Sequence, residues 1–290
     1  MRIADLLARA AESLQPVTDS PRLEAEVLLT HITGKDRAHF LAWPERMLED
    51  SLIERFHSLC QRRCRGEPVA YLTGQREFWS RPFRVSPAVL IPRPETELLV
   101  ETALSLCRVE RPRILDLGTG SGALAITLAL ELAGSPVVAV DSSAAALACA
   151  AANAENLGAS SLRLVRSDWF AELGGEGRFD LIVANPPYVA SGDPHLEQGD
   201  LRFEPAAALV AGADGLQALR TIIARAPGFL AEDGWLAVEH GYRQGAAVAG
   251  LMEASGYRRI ATRCDLLGNE RVTFGCRAAS FAGSGTAPAA

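Results

Sequence analysis

The sequence predicts an α/β protein, a doubly wound, mostly parallel sheet with a small helical bundle ahead of it. Three observations predict it. Apolar residues recur at helical spacing through the first part of the chain, up to about Gly66. From Arg93 onward, strands and helices alternate. Three strands then end in clusters of glycine, acid or proline, where open α/β sheets bind ligands.

The bulk numbers set the frame. The chain has 290 residues and is 48% hydrophobic, enough for one or two domains with real cores. Its net charge of −6, with no block of like charges, argues against binding nucleic acid by phosphate neutralisation. Lys35 is the only lysine, a bias read as genomic composition. Of the six cysteines, Cys60 and Cys64 are four apart with no second close pair, which is poor zinc spacing. Free thiols in a reducing cytosol, with no metal, are expected. "MRIADLLARAAESL" carries acids and an amphipathic rhythm, unlike a signal peptide. No apolar run approaches the ~18 residues of a membrane span. A soluble cytoplasmic protein is expected.

Taken in order, Ile3, Leu6, Leu7, Ala10 and Leu14 mark a first helix. "DSPRLEAEVLLTHITG" is a second, capped by Ser20 before Pro21 and stopped at Gly34. "LEDSLIERFHSLCQRRC" is another, ended by "RGEP". These define a bundle over 1–66, followed by a connector with a hairpin over 67–92, read from "YLTGQREFWSRPFRVSP". The sheet domain spans 93–278. In it "ETELLVETALSLC" is a helix, "RILDLG" a strand and "SGALAITLALELAG" a helix. "PVVAVD" is a strand, "AAALACAAANAENLG" a helix, and "LRLVRSD" and "DLIVANPP" are strands. "GLQALRTIIARAPGFLAEDG" reads as one helix, "WLAVEH" as a strand and "GAAVAGLMEASG" as a helix. "RRIATRCDL" and "ERVTFGC" close the fold as antiparallel strands. The small, polar tail, 279–290, is expected to be disordered.

The first strand end is "DLGTGSGALA", Asp116 to Ala125. Its glycines permit a tight turn and close approach of a ligand, but with Ala123 the loop also fits a dinucleotide fingerprint. The second is Asp141, an acid suited to the two hydroxyls of a ribose, or else to capping the next helix. The third, Asn185-Pro186-Pro187-Tyr188, separates the cases. The prolines fix the backbone, so the Asn185 side chain and the Pro186 carbonyl point rigidly into the site. Their oxygens can accept both protons of one NH2 group, and Tyr188 can lie against the flat face of an amide or base. That suits methylation of a planar nitrogen, whose delocalised lone pair makes it a poor nucleophile. Two acceptors hold it in line and favour the positive charge that develops on it.

At these residues the chain resembles the class I S-adenosylmethionine-dependent methyltransferases with an N-P-P-Y motif. "GQREFWSRPFRVSPAVLIPRPETELLVE", "FEPAAALVAGADGL" and "GNERVTFG" narrow the likeness. With the helical first part, they resemble the HemK/PrmC family of peptide chain release factor glutamine methyltransferases. The resemblance implies a Rossmann-like seven-stranded methyltransferase sheet. It also implies methylation of the side-chain nitrogen of the glutamine in the Gly-Gly-Gln motif of class 1 release factors. It implies that Gly118, Thr119, Gly120, Ser121, Gly122 and Asp141 hold S-adenosyl-L-methionine, with Asp168 and Trp169 bordering the adenine. Asn185, Pro186, Pro187 and Tyr188 would take the glutamine, with Asn185, Pro186 and Tyr188 catalytic and Asn185 also near the cofactor's methionine. The bundle would help grip the protein substrate.

Some residues carry two readings. Arg93, Glu95 and Glu97 either touch ligand or cap a helix and brace a loop. His240, after Glu239, is either packed or part of the site. His31, His39 and His57 are expected to face solvent or pack, and Phe78 and Trp79 to cover core. Two rival functions differ in kind. A methyltransferase of nucleic-acid amino groups would call for a basic, aromatic-interleaved recognition region. A non-catalytic cofactor-bound module would show decay of the clamp.

Overall fold

The computed structural model describes residues 1–278. The tail 279–290, expected to be disordered, lies outside the described residues.

The bundle holds α1 (Ile3–Leu14), α2 (Pro21–Thr33), α3 (Arg37–Ala42) and α4 (Asp50–Cys64). α1 buries Ile3, Leu6, Leu7, Ala10 and Leu14, one stripe at helical period. The stripe shares a core with Ala25, Leu28 and Leu29 of α2 and Ile53, Phe56 and Cys60 of α4. α2 opens at Pro21 and stops at Gly34, whose φ of 66° is left-handed. Ser20 holds the cap position, but its side chain makes no capping bond. His31 and His57 are exposed.

The connector adds an unexpected short helix, α5 (Val69–Thr73), before the hairpin of β1 (Gln75–Phe78) and β2 (Arg81–Arg84). Gln75 pairs with Arg84 and Phe78 with Arg81. Phe78 and Phe83 meet edge-to-face at 6.0 Å and are buried in the core of the sheet domain, with Trp79 packed against it.

The sheet domain contains α6 (Glu97–Leu106), β3 (Ile114–Leu117), α7 (Ala123–Glu131), β4 (Val137–Asp141), α8 (Ala144–Leu157), β5 (Leu162–Arg166) and β6 (Phe179–Ala184). It continues with α9 (Ala206–Leu209), α10 (Gln217–Arg225), β7 (Leu230–Glu239), α11 (Gly245–Ala254), β8 (Tyr257–Cys264) and β9 (Glu270–Arg277). The seven strands run in the order β5-β4-β3-β6-β7-β9-β8. β3 to β7 are parallel, and β9 is antiparallel to both neighbours. Period-two alternation sorts the strands onto two apolar faces. Ile114, Val137, Leu181 and Val183 pack on one face with α6 and α7. Leu115, Val138, Ile182 and Val238 pack on the other with α10 and α11.

The sequence reading of 215–234 as one helix is corrected. α10 ends at Arg225, a 3-10 turn containing Pro227 follows, and β7 begins at Leu230. Proline cannot continue the helix, and the register against β6 slips between Phe179 and Leu181. The slip leaves Asp233 with φ of 57° and Gly234 so close to the Phe179 carbonyl that a side chain would meet it at 3.0 Å.

The chain doubles back at β3. β4 and β5 lie on one side of it, β6 and β7 on the other. The crevice beyond the carboxyl ends of β3 and β6 is where such a sheet takes a ligand. It receives both the glycine loop and the Asn185 segment.

Candidate active site

A cavity of about 260 Å³ occupies that crevice. Its floor is the loop after β3. The Gly118 and Thr119 amides donate to the Val140 carbonyl at 2.9 Å each, tying the loop to β4. Gly122, with φ of 82°, starts α7 where a side chain would collide with Ile126 and Ala150, so only glycine lets the helix lie this close to α8. Asn153 of α8 fastens the loop from behind. Its amide donates to the Ser121 carbonyl at 2.8 Å and to the Arg84 carbonyl at 3.0 Å, and its oxygen accepts from the Arg84 amide.

Two acids meet this floor. Asp141 Oδ2 accepts from the Gly120 amide and Oδ1 from the Ser143 amide, both at 2.9 Å. Each oxygen keeps lone-pair capacity toward the cavity. The helix cap itself is Ser143, so Asp141 is not the capping residue of α8. Asp116, the second acid, is 1% exposed, and its Oδ2 has no hydrogen-bond partner among the described residues. Burial pushes its carboxyl up to about 7, against the Thr119 hydroxyl and the Ala125 amide, which hold it down. Asp116 opens the "DLGTGSGALA" strand end with no role of its own in the sequence; an acid inside an apolar strand, two residues before Gly118, is its signal.

Ser167, Asp168 and Trp169 form one wall. Trp169 has a left-handed φ of 51°, and its carbonyl accepts from the Ser167 hydroxyl at 2.9 Å. Its ring lies 3.4 Å from where a side chain on Gly118 would begin. The opposite wall is Ala88–Leu90 and Pro92 with Pro205, Ala207 and Ala208. Buried Glu204 joins those segments, accepting from the Ile91 amide at 3.0 Å and pairing with Arg93. Arg93 is therefore a brace. Glu97 is another, accepting from the Trp79 amide at 2.8 Å. Neither they nor Glu95 line the cavity, whereas Thr96 beside them does.

The Asn185 segment closes the remaining side. Asn185 and Pro187 line the cavity, while Pro186 and Tyr188 do not. Pro186 is buried and Tyr188 half-buried, its ring against the core face of α10 and α11. The Asn185 amide nitrogen donates to the Thr96 hydroxyl at 3.0 Å. The Tyr188 hydroxyl donates to Glu239 Oε1 at 3.3 Å. Burial pushes Glu239 up to about 7 and Tyr188 well above the usual phenol range. His240 is buried with both ring nitrogens partnered, by the Gly241 carbonyl and the Thr273 hydroxyl, so it packs. Burial lowers its pKa.

The bundle is fastened beside this site. Arg63, 5% exposed, bonds Glu24 at 2.7 Å and Asp200 at 2.8 Å. Asp200 leads into the Glu204–Ala208 wall. No described helix is long and apolar enough to cross a membrane.

Comparison with known proteins agrees with this fold. A family model described as PrmC N-terminal domain matches residues 5–74, and one described as methyltransferase small domain matches residues 94–210. The release factor glutamine methyltransferase of Salmonella typhimurium is 51% identical over 258 residues, covering 89% of this chain and 93% of that protein. The chain belongs to the release factor glutamine methyltransferase family. The member from Vibrio cholerae is 46% identical over 270 residues, 93% of this chain and 94% of its own. A solved methyltransferase from Pyrococcus furiosus shares the fold, with a TM-score of 0.52 and 18% identity over 76% of this chain and 98% of that one. As a member of this family the chain is an enzyme, a methyltransferase.

Proposed function

We propose that the protein transfers a methyl group from S-adenosyl-L-methionine to the side-chain nitrogen of the glutamine in the Gly-Gly-Gln motif of class 1 peptide chain release factors. The observation that carries this is the Asn185 amide. Its nitrogen is committed to Thr96, which leaves its oxygen at the cavity wall as an acceptor.

The cavity's chemistry fits the cofactor. Asp141 has lone pairs free for two ribose hydroxyls. The unpartnered Asp116 oxygen suits the cationic end of the molecule. Asp168 and Trp169 would border the adenine. Thr119, Gly120, Ser121 and Gly122 would hold the backbone against it. Bound there, the cofactor supplies an electrophilic methyl group.

The residues of this chain do the rest. Asn185 Oδ1 would accept one N–H of the substrate amide and the Pro186 carbonyl, although Pro186 does not line the cofactor cavity, the other, so that the nitrogen is aimed at the methyl. Pro186 and Pro187 keep both oxygens rigid, so no reorganisation is needed as charge develops. The substrate nitrogen would gain the methyl as the methyl's bond to the cofactor sulfur breaks, and would give up one proton to water. Tyr188, outside the cofactor cavity's lining, would flank the flat amide from the substrate side. The bundle, fixed through Arg63, contributes grip on the protein substrate. The partner is a protein, with no nucleic acid or membrane, and the setting is the cytoplasm, where the six unpaired cysteines are at home.

Purified enzyme, release factor and cofactor, followed by mass spectrometry, test the reading. A gain of one methyl on the Gly-Gly-Gln glutamine is expected. Methyl transfer to DNA or RNA with none to release factor would replace it with the nucleic-acid reading.

A further inference from the structure

Three side chains from distant stretches meet behind Asn185. Thr96 comes from the 3-10 turn before α6, Tyr188 from the loop after β6 and Glu239 from the last position of β7. Glu239 is 1% exposed. Its Oε1 accepts from Tyr188, and its Oε2 has no closed hydrogen bond among the described residues. The Thr96 hydroxyl also bears on this carboxyl, with no hydrogen bond closed between them. Thr96 Oγ1 accepts from Asn185, so its own proton is free for the unpartnered Glu239 oxygen.

An ionised carboxylate can only accept. Placed at the end of a hydrogen-bond chain, it sets the direction of every bond in it. Here the first link, from the Asn185 NH2 to the Thr96 hydroxyl, is closed, and a second from that hydroxyl to the unpartnered Glu239 oxygen would complete the chain. The Asn185 oxygen is the end left over, and it faces the cavity. Reversed, the chain would turn the Asn185 NH2 toward the substrate NH2, donor against donor.

We propose that Glu239 is a positioning residue for methyl transfer, acting through Thr96 to fix which end of the Asn185 amide faces the substrate and through its bond to Tyr188 to hold that ring. This rests on the reading of Asn185 as the acceptor for the substrate amide. A pH dependence follows, because a protonated Glu239 can donate and so permits the reversed chain. The groups facing Glu239 are Arg271 of β9, which favours the carboxylate, Glu95, which opposes it, and the hydroxyls of Thr96 and Tyr188, which favour it. Transfer at saturating cofactor should therefore rise with pH through neutrality.

The test compares Glu239→Gln, Thr96→Val, Thr96→Ser and Asn185→Ala in the full chain. It measures single-turnover methylation of release factor at saturating cofactor, beside cofactor titration. Glu239→Gln and Thr96→Val are each expected to slow transfer by about tenfold or more, the worth of one aligned hydrogen bond. Cofactor affinity should stay within about twofold in Glu239→Gln, because Glu239 does not line the cavity. Thr96→Ser, which keeps the hydroxyl, should recover most of the rate lost in Thr96→Val, and Glu239→Gln should lose the rise with pH. The double variant Glu239→Gln/Thr96→Val should be no slower than the slower single, because the residues act as one unit. If Glu239→Gln does not fold, the Thr96 pair decides, and a serine variant as slow as the valine variant overturns the proposal. Wild-type rates in both Glu239→Gln and Thr96→Val, with Asn185→Ala inactive, overturn the chain alone. A wild-type rate in Asn185→Ala overturns the acceptor reading beneath it.

Discussion

The Gly120 amide donates to Asp141 Oδ2 at 2.9 Å, so the acid at the end of β4 holds the middle of the glycine loop that follows β3. One carboxylate thus shapes the loop and presents lone pairs to the same cavity.

Asp141→Ala should therefore weaken cofactor binding twice over, by removing acceptors and by freeing the loop. Losing charge-assisted hydrogen bonds is expected to cost roughly 1.5–3 kcal/mol of binding energy. Calorimetric titration checks it, and unchanged affinity would take Asp141 out of the site.

Gly118→Ala tests the loop. Gly118 has φ of 76°, and a methyl there would meet the Trp169 ring at 3.4 Å. The left-handed backbone alone should cost roughly 1–2 kcal/mol of stability. Cofactor affinity should fall as well, because relieving the strained backbone moves the loop that floors the cavity; the ring itself is in ordinary contact at that distance. Urea denaturation beside titration separates the two losses, and a variant with wild-type values in both would show the loop to be permissive.

Asp116 and Glu239 give the stability curve a sign. Both carboxyls are raised to about 7 when folded, above their ordinary acidic values. The folded state then binds more protons than the unfolded state between roughly pH 4 and 7, so stability falls as pH rises through that window and levels off above it. Asp116→Asn should flatten part of this slope in urea denaturation across pH. A slope unchanged by the substitution would mean Asp116 is ionised throughout. Cofactor affinity should move the other way, tightening from pH 6 to 8 as Asp116 gains charge to offer a cationic ligand.

The parts of the site that were legible in the sequence are those whose chemistry is local. Gly118, Gly120, Gly122, Pro186 and Pro187 announce themselves because glycine and proline constrain their own backbone wherever they occur. The alternation of strands and helices fixed the architecture for the same reason. Thr96 was hidden because its partner Asn185 lies 89 positions away and a threonine inside "RPETE" has no local signature. Asn153 was hidden in an alanine-rich helix, and Glu239 looked like the polar end of a strand. The helix drawn through Leu230 failed because the slip at Gly234 depends on the neighbouring strand, which no local pattern reveals.

Arg63 should matter more than its surface neighbours. It is buried between Glu24 and Asp200, and removing it leaves charges facing each other without a cation. Arg63→Met should cost about 3 kcal/mol, the low end for a buried pair because Glu24 and Asp200 keep some solvent. Asp200→Ala, at a half-exposed partner, should cost under about 1 kcal/mol. Equal costs for the two would place the bundle's attachment elsewhere. Poor methylation of release factor with intact cofactor binding in Arg63→Met would tie the bundle to the protein substrate.

The most direct test of the account is single-turnover methylation of release factor by Asn185→Ala, with cofactor titration on the same protein. Asn185 sits at the cavity wall and carries little core packing, so the fold should hold and cofactor binding should change little. Transfer should fall by about 10²–10³, roughly 2.7–4 kcal/mol, as for removing one preorganised hydrogen-bonding group from an active site. A rate within about threefold of wild type, under ~0.7 kcal/mol, would contradict the account, because the substrate amide would then be held by something other than Asn185.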